Sequence, residues 1–151
     1  LLLADKNENN KNIFLMNKIE HIGIAVKNLE EANSLYSKIF GKQPYKQEEV
    51  ESEGVKTSFF KAGDNKIELL EATKEDSAIA KFIAKKGEGI HHIAFDVDNI
   101  EAEIKRLSSE GFIVLNKKPK KGADNKLVAF LHPKSTNGVL IELCQEIIIN
   151  E

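Results

Sequence analysis

The chain has 151 residues, of which 41% are hydrophobic and 30% are charged, and this composition is typical of one soluble globular domain. Its formal net charge of −2 and its lack of basic, aromatic-rich runs argue against nucleic-acid binding, and its apolar runs are too short to cross a bilayer. The single cysteine, Cys144, excludes an internal disulfide and favours a reducing compartment, either the cytoplasm or, in a eukaryotic cell, the mitochondrial matrix.

Residues 1–15 do not share this composition, because a short apolar stretch is followed by a polar tract without periodicity. We interpret them as a disordered or non-native extension and expect Met16 to be the native start. Residues 16–151 are predicted to form a single domain.

The first part of that domain, about residues 18–73, predicts a module with a strand, a helix and a hairpin. Alternation of apolar and small residues predicts the first strand, and a capping box before an apolar stripe predicts the helix. The predicted elements are a strand at 19–26, a helix that Asn28 and Glu31 begin and Gly41 ends, and strands at 55–61 and 66–71 around a turn at Gly63-Asp64-Asn65.

The same pattern returns at about residues 90–146, after a linker helix at about 77–86 that Asp76 or Ser77 begins. The predicted elements of this second module are a strand at 90–97, a helix that Asp98 and Glu101 begin and Gly111 ends, and strands at 113–115, 127–131 and 139–144. We therefore predict an α+β fold. Two tandem βαβββ modules would form one curled mixed sheet around a cleft, with their helices outside.

The periodicity of the first strand of each module separates the histidines. His21 shares a strand face with Gly23 and Ala25, which are small enough to leave space. His92 shares a face with Ala94, so His21 and His92 are predicted to face the cleft. His91 falls on the face of the large aliphatic residues and is predicted to point to the helix side, where it would stabilise the fold or support a metal ligand rather than bind metal itself.

Two glutamates, Glu68 and Glu142, lie inside matching apolar strands, Ile67-Glu68-Leu69-Leu70 and Ile141-Glu142-Leu143-Cys144. A buried carboxylate is costly unless it is paired or bound to a cation. Two imidazoles and two carboxylates from equivalent strands predict a divalent-metal site for manganese, iron, cobalt, nickel or zinc. The alternative is that the histidines are hydrogen-bonded core residues and the glutamates lie on a solvent face.

At these residues the sequence resembles the vicinal oxygen chelate superfamily and, within it, the methylmalonyl-CoA epimerases. The resemblance covers about residues 18–146 and implies that His21, Glu68, His92 and Glu142 hold the metal. It also implies a preference for Co²⁺, with Mn²⁺, Ni²⁺ or Zn²⁺ as substitutes, an acyl-CoA substrate, and a homodimer. The matching segments are HIGIAV at 21–26, KIELLE at 66–71, DSAIA at 76–80, GIHHIA at 89–94, FLHPK at 130–134 and GVLIEL at 138–143.

The reaction implied by the resemblance inverts the C2 centre of methylmalonyl-CoA through an enolate, with Glu142 as one of two catalytic proton carriers. Some members have a second carboxylate three residues after the glycine that matches Gly54, but this chain has Thr57 there. The second carrier therefore stays open among a metal-bound water and the side chains of Glu48, Glu49, Glu51, Glu53 and His91.

The superfamily scaffold also carries other activities, so the scaffold alone does not fix the reaction. A glyoxalase-type lyase or isomerase would use a similar four-ligand site, and a ring-cleaving dioxygenase would need only two histidines and one glutamate around iron. A metal-free small-molecule-binding protein is the non-enzyme alternative, although it has no need for His21, His92 and Glu142 together.

Overall fold

The computed structural model describes residues 16–149, so the predicted extension at 1–15 lies outside the described residues. The α+β prediction is confirmed, because eight strands and three helices occur in the order that the repeat implies. The strands are β1 (Lys18–Ala25), β2 (Lys46–Val50), β3 (Val55–Ala62), β4 (Asn65–Ala72), β5 (Gly89–Asp96), β6 (Lys120–Lys121), β7 (Lys126–Leu131) and β8 (Ile141–Glu146). The helices are α1 (Leu29–Phe40), α2 (Ala78–Lys86) and α3 (Ile100–Ser109).

All eight strands form one sheet in the order β2-β3-β4-β1-β5-β8-β7-β6. The two modules meet where β1 pairs antiparallel with β5, and on either side β1 pairs parallel with β4 and β5 pairs parallel with β8. The four central strands are therefore the first and last strands of the two modules. The sheet curls into a half-barrel, which brings one face of these four strands around a common cleft.

The residues predicted to cap the helix N-termini are the observed ones in two of three helices. The Asn28 side chain accepts a hydrogen bond from the Glu31 amide, and Gly41 ends α1 in the left-handed conformation at φ 68°. Ser77 caps α2. The prediction that Asp98 caps α3 is wrong by one residue, because the Asn99 side chain accepts from the amide of Ala102.

Two helices cover the outer face of the sheet, and the third does not. Leu29 of α1 packs against Phe60 and Leu69, and α3 packs against the strands of the second module. In contrast, Ile79 of α2 packs with Leu70, which lies on the same strand face as Glu68. The helices of the two modules, α1 and α3, thus lie outside the sheet as predicted, whereas the linker helix α2 closes one end of the cleft.

Three strand predictions also need correction, and one concerns the two-residue strand β6, which was not predicted. Strand β2 was not predicted, because its sequence KQEEV is a charged edge strand without apolar alternation. The strand predicted at 113–115 is only a single bridge between Val114 and Leu131. No helix within residues 16–149 has the length and hydrophobicity needed to cross a bilayer.

Candidate metal centre

The structure brings together all four residues that the sequence predicted as metal ligands. They are His21 on β1, Glu68 on β4, His92 on β5 and Glu142 on β8, and each side chain is buried in the cleft between the modules. We call them the four-residue cluster. Their fractional exposures are only 3–5%, which excludes the alternative of glutamates on a solvent face.

The donor atoms of the cluster face one another. The Nε2 atoms of His21 and His92 are 3.0 Å apart. Glu142 Oε2 lies 2.9 Å from His92 Nε2 and 3.5 Å from His21 Nε2. Glu68 Oε2 lies 3.2 Å from His21 Nε2 and 3.4 Å from His92 Nε2. Two ligands that each bind an ion at about 2.1 Å with a right angle between them lie about 3 Å apart. The donor atoms of His21, His92 and Glu142 all lie within 4.8 Å of one another and fit one divalent cation, and Glu68 Oε2 lies next to both imidazoles.

The charges of the cluster support the same reading. Burial disfavours an ionised Glu142, but His21 and His92 hold its pKa well below its usual range. Burial likewise disfavours a charged His92, yet Glu142 and Glu68 raise its pKa to about 9. The pKa of His21 is also raised, against burial, by Glu142. A proton held by the imidazole pair therefore offsets part of the carboxylate charge when no cation does so.

This protonation state predicts that metal uptake releases a proton. At pH 7 the raised imidazole pKa values keep one hydrogen between the two facing Nε2 atoms, which at 3.0 Å have room for only one, and binding requires both Nε2 atoms to be free. Below the His92 pKa of about 9 we therefore expect the apparent metal affinity to rise with pH. With one proton displaced, the rise is about tenfold per pH unit. Calorimetry of Zn²⁺ binding in buffers of different ionisation enthalpy measures the proton count, and a count of zero would contradict the predicted state.

Two residues next to the cluster, His91, which was predicted on the wrong face, and Glu20, which was not singled out, share one structural feature. Strand β1 has an extra residue, Glu20, between the pairs Ile19–Phe95 and His21–Ala94. Strand β5 has an extra residue, His91, between the pairs that flank it. Each is a β-bulge, which breaks the alternation of faces and turns the extra side chain into the cleft.

His91 therefore does not point to the helix side, as the sequence predicted, but lines the cleft between Phe82 of α2 and His92. Glu20, which the sequence analysis did not single out, is only 2% exposed and lines the same cleft. The repeat holds the signal that could have found it. When the two modules are aligned on His21 and His92, Glu20 falls at the position of His91.

The cleft encloses a cavity of about 270 Å³ beside the cluster. Among the candidates for the second proton carrier, Glu53 and His91 line this cavity, and Glu53 forms an ion pair with Lys120 at 2.6 Å. Glu48 instead accepts a hydrogen bond from the amide of Asp124, and Glu49 and Glu51 are not among the lining residues. Thr57 lines the cavity too, and its hydroxyl has no hydrogen-bond partner within residues 16–149.

Comparison with known proteins places this geometry in context. The family described as the glyoxalase/bleomycin resistance protein/dioxygenase superfamily matches residues 20–130. The chain is 43% identical to the mitochondrial methylmalonyl-CoA epimerase of Dictyostelium discoideum, over 83% of this chain and 76% of that protein. It is 42% identical to the uncharacterized protein YqjC of Bacillus subtilis strain 168, over 86% of this chain and 93% of that protein.

A solved structure has a closely similar fold. A variant of Streptomyces coelicolor methylmalonyl-CoA epimerase, in complex with 2-nitronate-propionyl-CoA, superposes with a TM-score of 0.85 at 35% sequence identity. The superposition covers 90% of this chain and 99% of that one. The likeness therefore extends over both modules and the cleft between them.

Proposed function

We propose that this chain, which belongs to the glyoxalase/bleomycin resistance protein/dioxygenase superfamily and within it to the methylmalonyl-CoA epimerase family, interconverts the R and S forms of methylmalonyl-CoA. The observation that carries the proposal is the four-residue cluster of two imidazoles and two carboxylates, buried beside a cavity. A cavity of about 270 Å³ suits an acyl group, so the bulk of the CoA would lie outside it.

We propose that His21, Glu68, His92 and Glu142 hold one divalent cation, with Co²⁺ as the preferred ion. Mn²⁺, Ni²⁺ and Zn²⁺ suit the same nitrogen and oxygen donors. When bound, such a cation supplies Lewis acidity toward the thioester and carboxylate oxygens of the substrate, which makes the C2 proton more acidic. A site of two histidines and one glutamate, as in a ring-cleaving dioxygenase, would leave the contacts of Glu68 without a purpose.

Glu142 is our proposed first proton carrier. Its contacts with His92 and His21 both use Oε2, which leaves Oε1 to accept the C2 proton. A carboxylate with so low a pKa is a weak base, so the transfer depends on the increased acidity of the C2 proton. The resulting enolate is planar at C2, and a proton delivered to its opposite face inverts the centre.

The second proton carrier has to reach that opposite face. Glu53 and His91 are the candidates that line the cavity. The pKa of His91 is lowered to about 4 by burial and by the charge of His92, so its imidazole is neutral near pH 7. A metal-bound water remains the third candidate.

The decisive test follows the C2 proton of methylmalonyl-CoA in deuterated water. We expect the cobalt-loaded protein to exchange this proton and to equilibrate the R and S forms. Removing the metal with a chelator should slow exchange about 1,000-fold, since Lewis-acid stabilisation contributes several kcal/mol, and Co²⁺ should restore it. Undiminished exchange without metal would contradict the role of the cluster. Turnover of a glutathione hemithioacetal without C2 exchange would favour the glyoxalase-type alternative.

We further propose that the chain acts as a homodimer in propionate metabolism, in the cytoplasm or in a mitochondrial matrix. Leu35 and Ile39 lie one turn apart on α1 and are 57% and 63% exposed. An apolar pair of this kind on the outer face is what a second copy would cover.

The preference for Co²⁺ is to be tested by metal analysis of the purified protein.

A further inference from the structure

The two β-bulges occupy equivalent places in the two modules. Each inserts one extra residue into a central strand, and in each case that residue directly precedes a histidine of the four-residue cluster. Both extra side chains, Glu20 and His91, line the cleft. Bulges next to functional sites often re-aim a side chain, and here two of them do so at corresponding positions.

In the first module, the bulge places a carboxylate behind His21. Glu20 Oε1 lies 3.7 Å from His21 Nδ1, the ring nitrogen that faces away from the cluster. His21 Nδ1 and Glu20 Oε2 are both buried, and neither has a hydrogen-bond partner within residues 16–149. Lys66 Nζ holds Glu20 Oε1 at 2.9 Å, which fixes the carboxylate in this position.

The chemistry of a metal-bound imidazole gives these two unpaired atoms a purpose. A histidine that binds metal through Nε2 carries its hydrogen on Nδ1, and a buried N–H requires an acceptor. Metal-ligating histidines usually donate this hydrogen to a carboxylate, a carbonyl oxygen or a water. Glu20 is the carboxylate within reach of His21 Nδ1.

In the second module, the bulge places an imidazole behind His92. His91 Nδ1 lies 2.9 Å from His92 Nδ1, so one of the two nitrogens donates and the other accepts. His92 directs Nε2 at both glutamates of the cluster, which puts its hydrogen on Nδ1 when a metal is bound. The His91 ring is held edge-on against Phe82, with the ring centroids 5.0 Å apart.

We propose that Glu20 and His91 are positioning residues that accept the Nδ1 hydrogens of His21 and His92 and so fix both rings for metal binding. This inference rests on the proposed function, because it assumes that the cluster binds a cation. The two supports differ in charge. A carboxylate increases the basicity of its histidine more than a neutral imidazole does, so His21 is the more strongly supported ligand.

The proposal also bears on proton transfer. If His91 Nδ1 accepts the hydrogen of His92, the hydrogen of the neutral His91 ring lies on Nε2. The ring then has no free lone pair with which to take the C2 proton. His91 is removed from the candidates for the catalytic base, and Glu53 becomes the side chain that remains.

Dissociation constants for Zn²⁺, measured by competition with a chelator, test the proposal independently of turnover. We expect Glu20→Gln to weaken Zn²⁺ binding about 10- to 100-fold and His91→Phe about 10-fold. His91→Asn should stay within about threefold of the wild type, because the amide oxygen of Asn lies where Nδ1 of His lies. The matched control is Glu103→Gln, a buried carboxylate of α3 that is paired with Arg106 instead.

Two further measurements separate the possible failures. Thermal unfolding of each metal-free variant shows whether it folds, and ¹⁵N spectra of the histidine rings in the Zn²⁺ form report which nitrogens carry hydrogen. Wild-type affinity in both Glu20→Gln and His91→Phe would overturn the positioning role while leaving the proposed function intact. Hydrogen on Nε2 of His21 and His92 in the Zn²⁺ form would overturn the four-residue cluster as the metal site as well. A wild-type protein that binds no divalent ion would overturn both.

Discussion

Replacing His92 with alanine is expected to abolish both tight metal binding and C2 proton exchange. The His92 ring lies within 3.0 Å of His21 Nε2 and 2.9 Å of Glu142 Oε2, so its loss opens the centre of the four-residue cluster. It also removes the cation that Glu142 faces in the metal-free protein, so two buried carboxylates would share a single imidazole. We expect exchange to fall at least about 1,000-fold, which corresponds to the several kcal/mol that a Lewis acid supplies.

The control for this prediction is His132→Ala. His132 lies in the loop after β7, where its Nδ1 accepts a hydrogen bond from the amide of Lys134, and it is not among the residues that line the cavity. This variant should bind metal and catalyse exchange like the wild type. Full activity in His92→Ala, measured with the metal content of the same sample, would reject the assignment of the cluster.

The four residues of the cluster could be predicted because Glu68 and Glu142 lie in regular strands and because the alternation on the C-terminal side of His21 and His92 is undisturbed. Glu68 and Glu142 stand out as carboxylates between large aliphatic residues, and the small neighbours Gly23 and Ala94 identify the cleft face. The repeat then supplies the pairing of modules without any knowledge of coordinates. Local alternation and duplication together were sufficient for the fold class and for the residues that meet.

Glu20 and His91 could not be placed correctly because a bulge has no local sequence signature here. One extra residue reverses the face on which it lies, and the sequence on either side still alternates. Strand β2 was missed for a different reason, since an edge strand that is half solvated needs no apolar face. The elements that escaped prediction are thus those whose conformation is fixed by their partner strands rather than by their own residues.

The two bulges also give His21 and His92 different surroundings, although the two modules are otherwise equivalent. Lys66 bridges Glu20 to Asp124, at 2.9 Å from each, and Asp124 lies in the loop before β7 at the edge of the cavity. Through Glu20 and Lys66, His21 is therefore connected to a loop of the other module. His91, at the equivalent position, instead contacts the linker helix α2 through Phe82. The residues that hold the two histidines in place therefore contact different parts of the chain.

Gly23→Ala is expected to disrupt the site from a position that has no functional group. The His92 ring lies directly over Gly23, its partner on β1, and a Cβ added there would be 2.6 Å from His92 Nε2 and closer to two other ring atoms. Neither the strand backbone nor the ring, which is held by Glu142 and His91, can move away freely. We expect about 1–3 kcal/mol of destabilisation from overpacking, together with loss of metal binding.

A double-mutant cycle separates this clash from a general intolerance of side chains at Gly23. In the His92→Ala background the ring is gone, so Gly23→Ala should no longer lower the free energy of unfolding. We expect it to raise the free energy of unfolding by about 0.4–1 kcal/mol, because alanine restricts the unfolded chain more than glycine does. Chemical denaturation of the four metal-free proteins measures the coupling. Equal destabilisation in both backgrounds would show that the His92 ring does not occupy the space above Gly23. It would contradict the inference that packing against Gly23 orients His92 toward the cluster.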